Sequence, residues 1–160
     1  MYHAPTLATL PPAQFHAELQ SQLSGLIAGE PNALANAANC AALIYDQMPD
    51  LNWAGFYYVE PESGDLVVGP FQGKPACARI APGKGVCGAA VERGESILVP
   101  DVHEFPGHIA CDAASRSELV IPLRRDGRIF GVLDLDSPLP NRFTPEDQAG
   151  LEALMAILLK

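Results

Sequence analysis

The segment from residue 117 to residue 137 constrains the fold most, because it reads as two alternating strands joined by a tight turn. Residues 124–127 (RRDG) form the predicted hairpin turn. Successive side chains of a strand point to opposite faces, so the leucines and isoleucines of both strands fall on one face. The other face receives Glu118, Asp134 and Asp136, because the two strands are hairpin partners. The residues between these acids are strongly apolar, which indicates central strands and not solvated edges.

Further elements follow from hydrophobic periodicity. Helical spacing predicts two helices within residues 13–48 and a C-terminal helix that begins after the capping sequence at residues 144–147 (TPED). Alternation and turn residues predict strands at residues 52–59, 66–69, 77–80 and 96–99, with a short small-residue helix at residues 86–92.

The order of these elements predicts an α+β fold, with a central antiparallel sheet that carries the N- and C-terminal helices on one face. The other face is left for a ligand pocket under loops. We expect one domain over residues 1–160, with N-terminal helices at about 13–48, sheet and pocket at about 52–138, and a C-terminal helix at about 145–159.

Composition narrows the classes of partner. The net charge is −9 and the chain has only three lysines, which argues against nucleic acid or an anionic membrane surface. No apolar run is long enough to span a bilayer, and the N-terminus lacks the features of a signal peptide. We therefore expect a cytoplasmic protein. In a reducing compartment, four cysteines are expected to serve redox chemistry, metal binding or core packing.

The cysteines fall into two groups. Cys40 lies in an alanine-rich helical segment and is predicted to be a small buried hydrophobe. Cys77, Cys87 and Cys111 lie in segments rich in Gly, Pro and Ala, where chemistry is more common than core packing. Cys111 belongs to a long connection at residues 100–116, and connections of this length are usually functional or disordered.

The same connection contains His103 and His108. We interpret both histidines as polar loop residues in preference to bases that activate a thiol.

Six motifs, in this order and spacing, are similar to those of GAF domains and more closely to the free methionine-(R)-sulfoxide reductase family within that fold. They are NWAGFYY (52–58), GPFQGKPAC (69–77), GVCG (85–88), HIACD (108–112), SELVIPL (117–123) and GVLDLDSP (131–138). The match covers nearly the whole chain.

The resemblance implies a role for each candidate residue. Cys111 would be the attacking thiol, Cys77 the principal resolving thiol and Cys87 a secondary one. Glu118, Asp134 and Asp136 would bind and activate the substrate, with Glu118 and Asp136 catalytic. The implied substrate-binding residues are Trp53, which holds the methyl end, together with Tyr57, Val86, Cys87 and Asp134. The resemblance also implies no bound cofactor and no metal, an external thioredoxin as reductant, and a homodimer formed through the terminal helices.

The chemistry explains why acids and thiols would be needed together. A thiolate that attacks a sulfoxide sulfur requires a proton at the sulfoxide oxygen, and like charges raise one another's pKa, so clustered carboxyls can stay protonated near neutrality. The carboxyls can also accept hydrogen bonds from the ammonium group of a free amino acid. The sulfenic acid left on the enzyme is then resolved by a second thiol, and an external dithiol protein reduces the disulfide.

Two other functions fit parts of the sequence. A non-catalytic GAF domain that senses a small ligand or redox state would share the fold, which does not by itself decide function. A zinc site could use Cys77, Cys87, Cys111 and His108, although the spacing lacks a CxxC pair.

Overall fold

The protein is described here from a computed structural model, which covers residues 6–160. Its helices are α1 (Pro12–Leu26), α2 (Ala33–Gln47), α3 (Gly85–Arg93) and α4 (Pro145–Leu158). Its strands are β1 (Trp53–Val59), β2 (Leu66–Gly73), β3 (Arg79–Ile80), β4 (Ile97–Val99), β5 (Ser117–Arg125) and β6 (Arg128–Ser137). A single turn of 3-10 helix spans Val102–Glu104. Among residues 6–160, none of the helices combines the length and apolar character needed to cross a bilayer.

The six strands form one antiparallel sheet in the order β3-β2-β1-β6-β5-β4. Strand β6 lies at the centre, between β1 and its hairpin partner β5. Glu118 pairs with Asp136 and Val120 pairs with Asp134. The predicted hairpin and its central position in the sheet are therefore confirmed, and the register brings the three acids together.

The two faces of the sheet carry separate apolar clusters. The first cluster packs α1, α2 and α4 against residues such as Leu119, Leu133 and Leu135. The second cluster lies on the opposite face, where α3 covers Val120 and Val132. The predicted α+β layering is confirmed, but the second face is partly covered by α3 and is not left bare. Because α3 covers part of the second face, the pocket is confined to one end of that face.

Cys40 lies on the inner side of α2 and is fully buried in the first cluster. Burial raises the pKa of this thiol to about 12, because the thiolate would lose its hydration. The prediction that Cys40 is a core residue is confirmed.

A polar contact joins the first and last helices. The Nε2 atom of His16 on α1 lies 3.0 Å from Oδ1 of Asp147 on α4. The other carboxylate oxygen accepts hydrogen bonds from the Thr144 backbone and from Arg142. A Cβ atom at Gly150 would collide with the His16 ring, so the close approach of α1 and α4 requires glycine there.

Two predicted strand boundaries are wrong. Strand β2 continues to Gly73 instead of ending at Gly69, because a register shift opposite Gly55 and Tyr57 accommodates Pro70 without breaking the pairing. Strand β3 contains only Arg79 and Ile80, so Cys77 lies before it in irregular backbone.

Candidate active site

A cleft opens at the sheet face that α3 partly covers. Its walls are β1, β5 and β6, the start of α3, and the segments at residues 74–77 and 108–115. Its empty space is about 540 Å³, which includes the open solvent at its mouth. The predicted site residues that line it are Trp53, Tyr57, Val86, Cys87, Cys111, Glu118, Asp134 and Asp136. Cys77 joins them through its bond to Cys111. The structure therefore brings all nine predicted site residues to one place.

Cys77 and Cys111 form a disulfide, with their Cα atoms 5.7 Å apart and a sequence separation of 34 residues. This is the pair that the resemblance implies. Cys111 is exposed and Cys77 is half-buried. Cys87 is not in a disulfide and is buried at the start of α3, on the inner side of the cleft.

The acids form a compact buried group. One atom each from Cys87 (Sγ), Glu118 and Asp134 lies within 4.8 Å of the other two, and all three residues are buried. Asp136 lies opposite Glu118 in the β5–β6 ladder. The group is held on two central strands, so its geometry is set by the sheet and not by loops.

Burial is the main cause of the raised pKa values in this group. Loss of hydration raises the pKa of Glu118, Asp134 and Asp136 well above the usual range of a carboxyl. Mutual repulsion adds to the effect: Asp136 acts on Glu118, Glu118 acts on Asp134, and Asp134 acts on Asp136. Burial, followed by the charge of Asp134, also raises the pKa of the Cys87 thiol. Both effects favour the protonated form of these carboxyls.

One acceptor in this group lacks a partner. The Oδ1 atom of Asp134 is buried and has no hydrogen-bond partner among the described residues. A buried unpaired acceptor is costly, and here it lies at a cleft where a ligand could supply the donor.

Two aromatic residues of β1 form the wall beside the disulfide. Trp53 stacks with Tyr57 and with Phe71, with ring centroids 5.7 and 5.2 Å away. The indole Nε1 of Trp53 donates to the backbone carbonyl of Lys74 at 3.2 Å. The hydroxyl of Tyr57 donates to the carbonyl of Cys77 at 3.1 Å. The same side chains that line the cleft therefore fix the segment that carries Cys77.

His108, which the sequence offered as a loop residue, a thiol-activating base or part of an alternative zinc site, lines the cleft. Its Nε2 lies 3.4 Å from Oε2 of Glu118, and only 13% of its side chain is exposed. Burial lowers the pKa of His108. His108 lies in the predicted loop, but it also lines the cleft beside Glu118. His103 has no such contact, because 65% of that side chain is exposed and its nearest acidic partner is Asp101 at 3.8 Å.

Asn52 is a residue that the sequence did not identify. Its Nδ2 donates to Asp112 at 3.2 Å and to Ser115 at 3.0 Å, across about 60 residues of sequence. Ser115 in turn bonds to Asp136 and lowers the pKa of that carboxyl, against the stronger effect of burial. The loop that carries Cys111 is thereby attached to the start of β1 and to the acid group.

The proposed zinc ligand set is not available in this structure, because Cys77 and Cys111 are bonded to each other. The geometry of Cys87, Glu118 and Asp134 would allow a cation between them. However, all three groups have raised pKa values and would have to lose protons first.

Comparisons by sequence and by structure find similarity to the same group of proteins. The family model for the GAF domain matches residues 36–158. The free methionine-R-sulfoxide reductase of Escherichia coli is 53% identical over 147 residues, covering 92% of this chain and 88% of the relative. The enzyme of the same name from Saccharomyces cerevisiae is 42% identical, covering 89% and 83%. The structure of free methionine-R-sulfoxide reductase from Neisseria meningitidis in complex with its substrate superposes with a TM-score of 0.93 at 42% identity, covering 98% of this chain and 93% of that one.

Proposed function

The chain belongs to the free methionine-R-sulfoxide reductase family within the GAF fold, and from this we propose that it reduces free L-methionine-(R)-sulfoxide to methionine. One observation supports the proposal above all others. The Cys77–Cys111 disulfide lies at a cleft whose floor consists of three protonatable acids. A thiol pair beside buried acids is the combination that this reaction requires.

In the first step, the Cys111 thiolate of the reduced protein attacks the sulfoxide sulfur. The oxygen receives a proton as the bond between the two sulfurs forms. The hydroxyl then passes from the substrate sulfur to Sγ of Cys111, and the sulfur–sulfur bond breaks with its electron pair going to the substrate sulfur. Methionine leaves as the reduced product, and Cys111 is left as a sulfenic acid. Glu118 and Asp136 are the proton donors in this proposal. Their raised pKa values support the role, because a carboxyl that is ionised at neutral pH has no proton to give.

In the second step, the thiol of Cys77 attacks the sulfenic sulfur of Cys111, and water leaves as the disulfide forms. The bond between these two residues supports Cys77 as the principal resolving thiol. Cys87 is assigned the secondary role, since its raised pKa leaves little thiolate. An external thioredoxin then returns two electrons, and no bound cofactor is needed because the electrons travel only through thiols.

Binding of a free amino acid is assigned to both walls of the cleft. The flat ring of Trp53 would hold the methyl group, and Tyr57 and Val86 would supply further apolar contact. Asp134 would orient the substrate through its ammonium group, for which the unpaired Oδ1 atom is a suitable acceptor.

We also propose a cytoplasmic homodimer formed through the terminal helices. Leu34 on α2 is an exposed large hydrophobic side chain, and Tyr45 on the same helix is at the margin of exposure. Both would be covered in such a dimer. Neither nucleic acid nor an anionic membrane is expected as a partner, because the net charge is −9.

The direct test uses the reduced full-length chain with a thioredoxin-based reducing system. Free (R)- and (S)-methionine sulfoxide and a peptide-bound methionine sulfoxide are supplied in parallel, and the methionine formed is quantified by chromatography. We expect sustained methionine formation from the free (R) epimer alone. A non-catalytic sensor would bind a ligand, as detected by calorimetry, but would form no methionine, and that result would refute the proposal.

A further inference from the structure

The two sulfurs of the disulfide differ in how a reductant can reach them. We propose that the external dithiol protein attacks Sγ of Cys111 and not Sγ of Cys77. The attacking residue of the first step would then also carry the mixed disulfide with the reductant. This inference rests on the redox cycle proposed above.

Exposure supports attack at Cys111. Cys111 is exposed, and the residues that precede and follow it in the chain include Ile109, Ala110, Ala113 and Ala114, all exposed. Cys77 is half-buried and packs against the second apolar cluster, which also contains Tyr57 and Ile80. A thiolate attacks a disulfide in line with the S–S bond, so it must approach each sulfur from the side opposite its partner. Cys111 stands among exposed residues, so its sulfur offers more room for this approach than that of the half-buried Cys77.

The contacts that hold the Cys77 segment also favour attack at Cys111. The Cys77 backbone is fixed to the sheet through the Tyr57 hydroxyl at 3.1 Å, and Trp53 fixes the neighbouring Lys74 carbonyl at 3.2 Å. The Cys111 amide donates to the carbonyl of Ile109 at 3.1 Å, and its loop is held to β1 through Asp112 and Ser115, which both accept from Asn52. The bond from Tyr57 suits Cys77 to be the leaving thiolate that remains in place. Its exposure, and not a looser attachment, suits Cys111 to be the residue that is presented to a protein partner.

The reductant transfers two electrons to the disulfide in two steps. A thiolate of the reductant bonds to Sγ of Cys111, the Cys77–Cys111 bond breaks, and its electron pair leaves on Cys77, which takes up a proton. The second thiol of the reductant then attacks the reductant sulfur of the mixed disulfide. Cys111 leaves as a thiolate, and the reductant departs with an internal disulfide.

This order of attack determines when Cys111 is free to react again. Cys111 would stay blocked until the reductant completes its second step, so a new sulfoxide could not react while the reductant is bound. Attack at Cys77 would instead free Cys111 at once.

The test traps the mixed disulfide. The oxidised full-length protein is mixed with a thioredoxin whose second active-site cysteine is replaced by serine. The reaction is quenched with acid over a time course, free thiols are alkylated, and the cross-linked peptides are identified by mass spectrometry. Extrapolation to zero time removes later exchange by the freed Cys77 thiol. We expect the Cys111 adduct to exceed the Cys77 adduct by at least about tenfold, because access governs which sulfur is attacked.

A small probe makes the result independent of protein docking. Glutathione attacks the same disulfide without a large interface, and its first adduct is mapped in the same way. A predominant adduct on Cys77, or equal amounts on both residues, overturns the inference with either probe. Failure of the proposed function would appear elsewhere, as the absence of methionine formation by the reduced protein.

Discussion

Replacing Glu118 by Gln tests whether the acid group supplies a proton or only binds a ligand. Gln has the same size and can still form hydrogen bonds, but it has no acidic proton to donate. Glu118 is buried and lies opposite Asp136, and both features raise its pKa and so favour its protonated form. General acid catalysis contributes about 10² to 10⁴ in rate. We expect the lower end, about 100-fold, because the amide of Gln can still donate a hydrogen bond to the sulfoxide oxygen. This corresponds to about 3 kcal/mol in activation free energy.

The assay is single-turnover methionine formation by reduced protein at saturating (R)-sulfoxide, measured by rapid quench. Glu152→Gln is the matched control, because Glu152 is an exposed carboxylate on α4 that bonds Ser96 and Gln148. Asp136→Asn should resemble Glu118→Gln, whereas Asp134→Asn should mainly weaken substrate affinity. Unchanged rates in both the Glu118 and Asp136 variants would exclude acid catalysis by this group.

The pH profile gives a second measurement on the same variants. A proton donor is active in its protonated form, so wild-type activity should fall as pH rises through the raised pKa of the shared acid group. The Glu118→Gln variant should lose most of this alkaline decrease. A profile that is the same in both proteins would contradict the assignment.

Four further predictions follow from the site. Cys111→Ser should form no methionine, whereas Cys77→Ser should form about one equivalent per site and then stop with a thioredoxin reductant, unless Cys87 substitutes; normal steady-state turnover by Cys111→Ser would contradict the assignment. Asp134→Asn should be more stable to heat than the wild type at pH 8 but not at pH 4. The raised pKa means that the folded protein binds this proton more tightly than the unfolded chain, so the contribution is present at low pH and is lost as pH rises through the folded pKa; an equal melting difference at both pH values would refute this. His108→Leu should move the alkaline decrease of activity to higher pH, because an apolar side chain in place of the polar imidazole beside Glu118 further disfavours the charged carboxylate, and the His103→Leu control should not move it. Reduction of the disulfide should lower the free energy of unfolding by about 4 kcal/mol, from the 34-residue separation of its cysteines, as measured by urea titration with and without reductant.

The sequence predicted the sheet well where local pattern determines it. A one-residue slip of β6 would place Asp134 and Asp136 in the first apolar cluster, on the helix side of the sheet. The alternation therefore allows only one register with β5. The hairpin turn then brings Glu118 opposite Asp136 without any information from distant parts of the chain. Both the helix-side core and the acid group follow from this single argument.

The remaining site residues depend on contacts that local pattern does not record. Asn52 contacts Ser115 across 63 residues, and His108 reaches Glu118 from a connection without periodicity. Strand β2 passes Pro70, which local rules treat as the end of a strand, because an irregularity opposite β1 accommodates it. In each case the deciding interaction is tertiary, and the sequence contains no repeating signal for it.

The division of the sheet into two faces has a consequence for how this protein can change during evolution. The leucines of β5 and β6 that face the helices contribute to folding, whereas the buried acids on the opposite face oppose folding at neutral pH because ionising them is costly. Selection for stability and selection for chemistry therefore act on alternate residues of the same two strands. Substitutions on the cleft face can remove or exchange an activity while the scaffold persists, and many would be favoured by stability alone. Continued retention of the acids therefore requires selection for the reaction itself.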